Sequence, residues 1–279
     1  MKIFMHWDME GVSGLFTREH VWFWEPDTSA QVAEEGRRLL VADVNAAAAA
    51  ALEAGADELI VCDTHHGGGN IRLEEMLSHP RVKYLVKPRA QEGVKTRWMP
   101  GLEGCDGLML LGHHAKAGTP GAFLPHTWML EWEDFRINGQ SVGEIGIEAC
   151  YAGHFGVPPV LVQGEEAGCR EAEALLPGVL TAAVKRAVSR DLCTGPAAQA
   201  ARQLTAAKVA EAVAAARSRR LRPYQPRLPM TVAIRMRTPE SAAKAAEKPN
   251  VVRTDERTVE CRVARHCDVV KWIVNTGLE

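Results

Sequence analysis

The stretch 1-MKIFMHWDMEGVSG-14 decides how the rest of the chain is read. Residues 2–8 form an apolar run of strand length that ends on Asp8. Glu10 follows two positions later, then Gly11 and Gly14. Side chains at i and i+2 of a strand face the same side. Two carboxylates so placed at the end of a buried strand repel each other and lose hydration, which calls for a positive partner. That partner is an arginine, a proton or a metal ion.

Working outward, Asp27, Thr28 and Ser29 offer N-caps for a long helix running to about residue 54, where Gly55 stops it. The alanine run 46–51 in that helix suits close packing. Residues 58–63, 82–86 and 107–111 supply three further strands. Strand, long helix and strand in succession argue for a mostly parallel sheet with helices on its faces. A hairpin is expected to turn at Asn138-Gly139, followed by a helix over 143–154 and a strand over 157–162. Helical segments are expected over 165–175, 182–190 and 197–217, and Pro223, Pro226 and Pro229 mark a linker. The tail reads as a strand (230–237), a helix (239–247), a strand (258–264) and a last helix (267–275). The fold class is therefore α/β, with a catalytic metal-binding domain over 1–190 and a smaller α+β unit over 191–279 for packing or assembly.

Composition narrows the function. The 279 residues allow a substantial core, and a formal charge of −2 points to neither a nucleic acid nor a membrane surface. The longest apolar-rich stretch, 46–52, is too short to span a bilayer. No basic and apolar leader pattern precedes the first strand, so no signal peptide is expected. Seven widely spaced cysteines without a CxxC pair fit reduced thiols in a cytoplasmic protein. A metal here would rely on His, Asp and Glu.

Those residues gather at strand ends. Asp63-Thr-His65-His66 and the glycine run to Asn70 follow the second strand, and Gly112-His113-His114-Ala-Lys116 follows the fourth. Carboxyl ends of parallel strands build sites in α/β sheets. A first metal would take Asp8, Glu10 and one of His65 or His66; a second would take His113 or His114 with a further carboxylate. Glu144 is a candidate for that carboxylate, although a helix N-terminus also favours an acid with no metal nearby. Asp8 would then bridge the ions, an arrangement that lowers the pKa of a shared water and clamps a developing oxyanion. His126, delivered by a glycine- and proline-punctuated loop, suits acid–base work or oxyanion stabilisation, or is a surface histidine in a turn. Lys116 and Asn70 are candidate substrate-binding residues.

Together these pieces resemble the DppA-type D-aminopeptidase family of zinc peptidases. The likeness rests on Asp8-Met-Glu10-Gly11, Asp63-Thr-His65 with Asn70, Gly112-His113-His114-Ala-Lys116 through Gly121, His126, Asn138-Gly139 and Val142-Gly143-Glu144. It extends through Gly164 and Thr181 to Lys185, covers residues 1 to about 190, and is loose in the last third. The resemblance implies that Asp8, Glu10 and His65 hold one zinc, and that Asp8, His114 and Glu144 hold a second. It implies a catalytic role for His126, as nucleophile or in handling protons beside a metal-bound water. It also implies cleavage of N-terminal D-residues from short peptides by a cytoplasmic, ring-shaped homo-oligomer of pentamer or decamer type. Trp7, His66 with Gly67–Gly69, and Glu165-Glu166 depart from the family pattern without touching a ligand.

Two other readings use the same residue types. One is a different dinuclear metallohydrolase, an amidase or a phosphoesterase, although the loops lack an arginine cluster for phosphate. The other is a non-enzymatic peptide-binding or metal-sequestering protein on the same scaffold.

Overall fold

The computed structural model describes residues 1–85 and 98–272. In chain order the elements are β1 (Lys2–Trp7), α1 (Arg18–Val21), α2 (Ala30–Glu53), β2 (Glu58–Asp63), β3 (Val82–Leu85), β4 (Gly107–His113), β5 (Trp132–Ile137) and β6 (Gln140–Ser141). They continue with α3 (Glu144–His154), β7 (Pro159–Glu165), α4 (Glu166–Leu175), β8 (Leu180–Ser189), β9 (Leu192–Thr194) and α5 (Ala198–Ser218). The tail adds β10 (Met230–Met236), α6 (Pro239–Ala246), β11 (Val251–Arg253), β12 (Thr258–Val263) and a closing 3-10 segment, His266–Trp272.

Seven strands form one sheet in the order β3-β2-β1-β4-β7-β8-β9, parallel except for β9. Strand β1 lies inside this sheet and is buried on both faces, which is why it reads as a continuous apolar run. Ile3, Met5 and Trp7 enter the core beneath α2 and α5, whereas Phe4 enters the core beneath α3. His6 and Asp8 follow the parity of Phe4, so Asp8 leaves the strand on the α3 face. Trp7 points the other way and is a core residue. The alanines of α2 are packing residues: Ala47, Ala48 and Ala51 are fully buried with Val209, Ala212 and Val213 of α5.

After β3 the chain crosses back and places β4 on the far side of β1, so strand order reverses between them. Such switch points open a crevice at the carboxyl ends of the strands. A second sheet, β11-β12-β10-β5-β6, is antiparallel and shares the α3-side core with the first. The two sheets do not divide at residue 190, because β5 and β6 join the second while β9 completes the first.

Two expectations change. The helix expected over 182–190 is strand β8, where Ala182 and Val184 face inward and Ala183 and Arg186 face outward beside β7. Its alanines raise helix propensity, but alternation and parallel pairing decide the outcome. The last helix, expected over 267–275, is a 3-10 segment as far as Trp272, and residues 273–275 lie outside the described residues, as does Val86 of the third strand. No helix among the described residues is long and apolar enough to cross a membrane.

Candidate metal centre

The switch point carries the predicted residues. Asp8 continues the line of β1, with its N–H donating to the Leu111 carbonyl of β4 at 2.8 Å. Glu10 follows, and Gly11 donates to the Gly112 carbonyl at 2.6 Å. Strand β4 shifts register between Leu111 and His113, and Gly112 sits there at φ +75°. Such bulges re-aim side chains beside active sites. This one turns His113 towards Glu148 of α3 and His114 towards Asp8 and Glu144. Glu144 begins α3, and its Oε1 accepts the Trp128 N–H at 2.7 Å.

His65 is held by the turn after β2. Asn70 donates its side-chain nitrogen to the His65 carbonyl at 2.7 Å and to Asp63 Oδ1 at 3.0 Å. The Asn70 backbone N–H reaches Asp63 Oδ2 at 2.6 Å. Asn70 is thus buried behind His65 and braces it, a different task from the substrate contact expected of it. The hydrogen bonds of Lys116 run to Ser141 and to Glu171, not to the carboxylate cluster. His66 is exposed and stacks on Trp24 with 3.9 Å between ring centres.

The histidine rings share one arrangement. His65 Nε2 faces the Val21 carbonyl at 2.9 Å, His114 Nδ1 the Ala115 carbonyl at 2.9 Å, and His126 Nδ1 the Leu124 carbonyl at 2.8 Å. A carbonyl only accepts, so each of these nitrogens carries hydrogen, and the other nitrogen of each ring is turned to the carboxylates. His65 Nδ1 lies 2.7 Å from Asp8 Oδ1 and 3.2 Å from Glu10 Oε2. His114 Nε2 lies 3.6 Å from Asp8 Oδ2 and 3.4 Å from Glu144 Oε1. The two oxygens of Asp8 therefore face one histidine each.

His126 closes the group. Its Nε2 stands 3.8 Å from Glu10 Oε1 and 3.7 Å from Glu144 Oε1, and its ring stacks on His114 at 4.1 Å and 4°. Its side chain is 14% exposed, against 1% for His114 and 3% for His65, so His126 is the most accessible of the three rings. Leu124 and Trp128, on either side of it, have φ of +44° and +54°. Non-glycine residues in that region carry strain that clusters at functional sites.

Electrostatics show what the cluster lacks. Burial alone would raise the Asp8 carboxyl, but the neighbouring His114 imidazole and the hydrogen-bonded His65 hold it well below the usual carboxylate range. Glu10 is also lowered: burial and the Asp8 charge push it up, and His65 overcomes both. Burial would lower the two imidazoles, yet Glu10 with Asp8 drives His65, and Glu144 with Asp8 drives His114, well above the ordinary value. Pairing among these groups is incomplete: Glu10 Oε2 and His114 Nε2 are buried and make no hydrogen bond. Three carboxylates and two imidazole nitrogens, with two of these ligand atoms orphaned, fit divalent cations. The sets Asp8–Glu10–His65 and Asp8–His114–Glu144 each lie within 4.8 Å, as does Glu10–His114–His126.

Several contacts escaped the sequence. Trp22 donates Nε1 to Glu10 Oε1 at 3.0 Å, and the Val21 carbonyl orients His65. Glu148 joins His6 and His113; burial alone would raise it, but those histidines bring its carboxyl down to about 2. Only the aromatic run Val21–Trp24 and the His6/His113 pair signalled these contacts, with no spacing to link them.

A model of the D-aminopeptidase family, peptidase M55, matches residues 1–275. A D-aminopeptidase of Bacillus subtilis (strain 168) is 36% identical over 214 residues, which cover 74% of this chain and 71% of that protein. Among solved structures, the Zn-dependent D-aminopeptidase DppA from Bacillus subtilis, a self-compartmentalizing protease, is similar with a TM-score of 0.87 and 29% identity. The match covers 98% of this chain and 95% of that one. With the family model spanning nearly its whole length, the chain belongs to the D-aminopeptidase family.

Proposed function

We propose that the chain is a zinc-dependent aminopeptidase that removes N-terminal residues, D-amino acids by its family relationship, from short peptides. The observation that carries the reading is Asp8, whose two oxygens face His65 and His114 separately and so suit a bridge between two ions. Asp8, Glu10 and His65 would hold one zinc, and Asp8, His114 and Glu144 the other. Bound there, zinc supplies a polarised water near neutral pKa and a Lewis acid for the scissile carbonyl.

The protein's own residues supply the rest. The carbonyls of Val21 and Ala115 hold His65 and His114 in the tautomers that present a lone pair to the cluster. Trp22 holds Glu10 by Oε1 and leaves Oε2 facing His65, and the Trp128 N–H holds Glu144 by Oε1, the oxygen that faces His114. His126, fixed by Leu124 and by stacking on His114, keeps Nε2 free to take and return a proton at the scissile bond.

The finer readings follow the family. A ring-shaped homo-oligomer of pentamer or decamer type is proposed, with exposed Met129, Leu130, Val188 and Leu192 as apolar surface for subunit contacts. The tail beyond residue 190 is proposed to serve packing and assembly. A cytoplasmic location suits seven cysteines that form no disulfide.

The test uses zinc-loaded protein on D-Ala and L-Ala p-nitroanilides beside a phosphate ester. Cleavage of the D-anilide is expected, and phosphate-ester cleavage alone would replace this reading with a phosphoesterase. His126→Ala is expected to keep its zinc and lose about a hundred- to ten-thousand-fold in kcat. Zinc retained with near wild-type activity would remove His126 from the chemistry.

A further inference from the structure

His6, His113 and Glu148 form a second sealed cluster, with exposures of 0%, 1% and 1%. Glu148 Oε1 lies 2.9 Å from His6 Nε2, and Oε2 lies 2.7 Å from His113 Nε2. The carboxylate therefore serves one imidazole with each oxygen. His113 Nδ1 is 3.1 Å from the Leu111 carbonyl, so both nitrogens of that ring face acceptors and both donate.

A third metal is the first thing such a set suggests, since its ligand atoms lie within 4.8 Å of one another. The charge argues otherwise: a dication among two neutral imidazoles and one carboxylate would leave net charge sealed from water, whereas one carboxylate and one imidazolium cancel, joined by contacts of 2.7 and 2.9 Å.

Position decides the role. His6 is two residues before Asp8 on the same face of β1, and His113 immediately precedes His114. Glu148 is one helical turn after Glu144 on α3. Thr64, immediately before His65, places Oγ1 2.8 Å from His6 Nε2. Each member of the cluster is thus a near neighbour in sequence of a metal ligand. We infer that Glu148 is a positioning residue of the metal centre, clamping β1 and β4 to α3 through His6 and His113 and thereby setting the spacing of Asp8, His114 and Glu144. The inference rests on the metal-centre reading above.

The test compares zinc affinity, by competition with a chromophoric chelator, and the visible spectrum of the cobalt-loaded protein. Glu148→Gln keeps the shape but removes the charge. It is expected to bind zinc about ten- to a hundred-fold more weakly, with a shifted cobalt spectrum. His6→Asn removes one arm and keeps the Glu148–His113 pair, so a smaller loss with a spectral shift is expected. That variant decides the matter if Glu148→Gln does not fold. Wild-type affinity and spectrum in the folded variants overturn the inference alone, as does a lowered melting temperature with an unmoved spectrum. Three zinc ions per wild-type chain and two in Glu148→Gln would make the cluster a metal site and overturn it too. A wild-type chain that binds neither zinc nor cobalt overturns both this inference and the metal centre.

Discussion

Gly112→Ala tests how closely the ligand-bearing strand ends must approach. A Cβ at Gly112 would stand 2.0 Å from the Asp8 carbonyl oxygen and 2.8 Å from its carbon. That neighbour is backbone and cannot swing aside. Gly11 and Gly164 meet the same place: their added carbons would lie 2.5 Å from Gly164 Cα and 2.0 Å from the His113 oxygen respectively. Relief would have to come from moving β1 against β4, which displaces Asp8 from His114. Two terms add. The left-handed φ of +75° disfavours an L side chain by about 1–2 kcal/mol. Overpacking against fixed atoms adds about 1–3 kcal/mol or more.

A total near 4 kcal/mol lowers the melting temperature by roughly 8–16 °C for a chain of this size. Gly139→Ala is the control. Its φ is +83°, but nothing lies within 4 Å of the added carbon, so about 1–2 kcal/mol from φ alone is expected. Thermal unfolding of both metal-free variants, followed by zinc titration, separates the terms. Gly112→Ala should lose far more stability than Gly139→Ala and should also bind zinc weakly. Equal destabilisation in the two variants, or wild-type zinc affinity in Gly112→Ala, would refute the close-approach argument.

Two further outcomes follow from the same contacts. Trp22→Phe deletes the donor 3.0 Å from Glu10 Oε1 and keeps most of the ring, so zinc affinity should fall about ten-fold or more while the fold survives; isothermal titration measures it, and unchanged affinity would dismiss Trp22 as a ligand-orienting group. Zinc binding should release roughly two protons near neutral pH, because His65 and His114 are raised well above the ordinary imidazole value and must give up protons as the ion enters. Affinity should therefore climb as pH rises. The metal-free protein should lose stability on that same rise through the raised imidazole values, and again at low pH as Asp8 and Glu10 protonate through their lowered ones. Calorimetry in two buffers of different ionisation enthalpy counts the protons, and a count near zero would contradict this protonation pattern.

Much of the candidate centre was legible because its proposed ligands sit where chain patterns break. A run of apolar residues ending in Asp8, a strand ending in Asp63 and a strand running into His113-His114 each mark a boundary that period and composition reveal. The family resemblance then selected His65 over His66 and His114 over His113. The residues alone could not select, because adjacent side chains on a strand point to opposite faces and nothing local says which face is occupied. In the structure that choice is made by the bulge at Gly112, which turns His113 to Glu148 and His114 to Asp8 and Glu144. The bulge in turn depends on the close approach of Gly11, Gly112 and Gly164, from segments scattered along the chain. The carbonyls of Val21 and Leu124 pose the same difficulty, since a backbone acceptor leaves no mark in sequence yet fixes which nitrogen of His65 or His126 carries the proton. The candidate ligand residues could thus be singled out, while the turning of His113 and His114 arises from packing between distant segments and the tautomers from backbone carbonyls. A cation suits the gap beside Asp8 and Glu10 because the backbone carbonyls of Val21, Ala115 and Leu124 turn the neighbouring imidazoles to present their acceptor nitrogens to it.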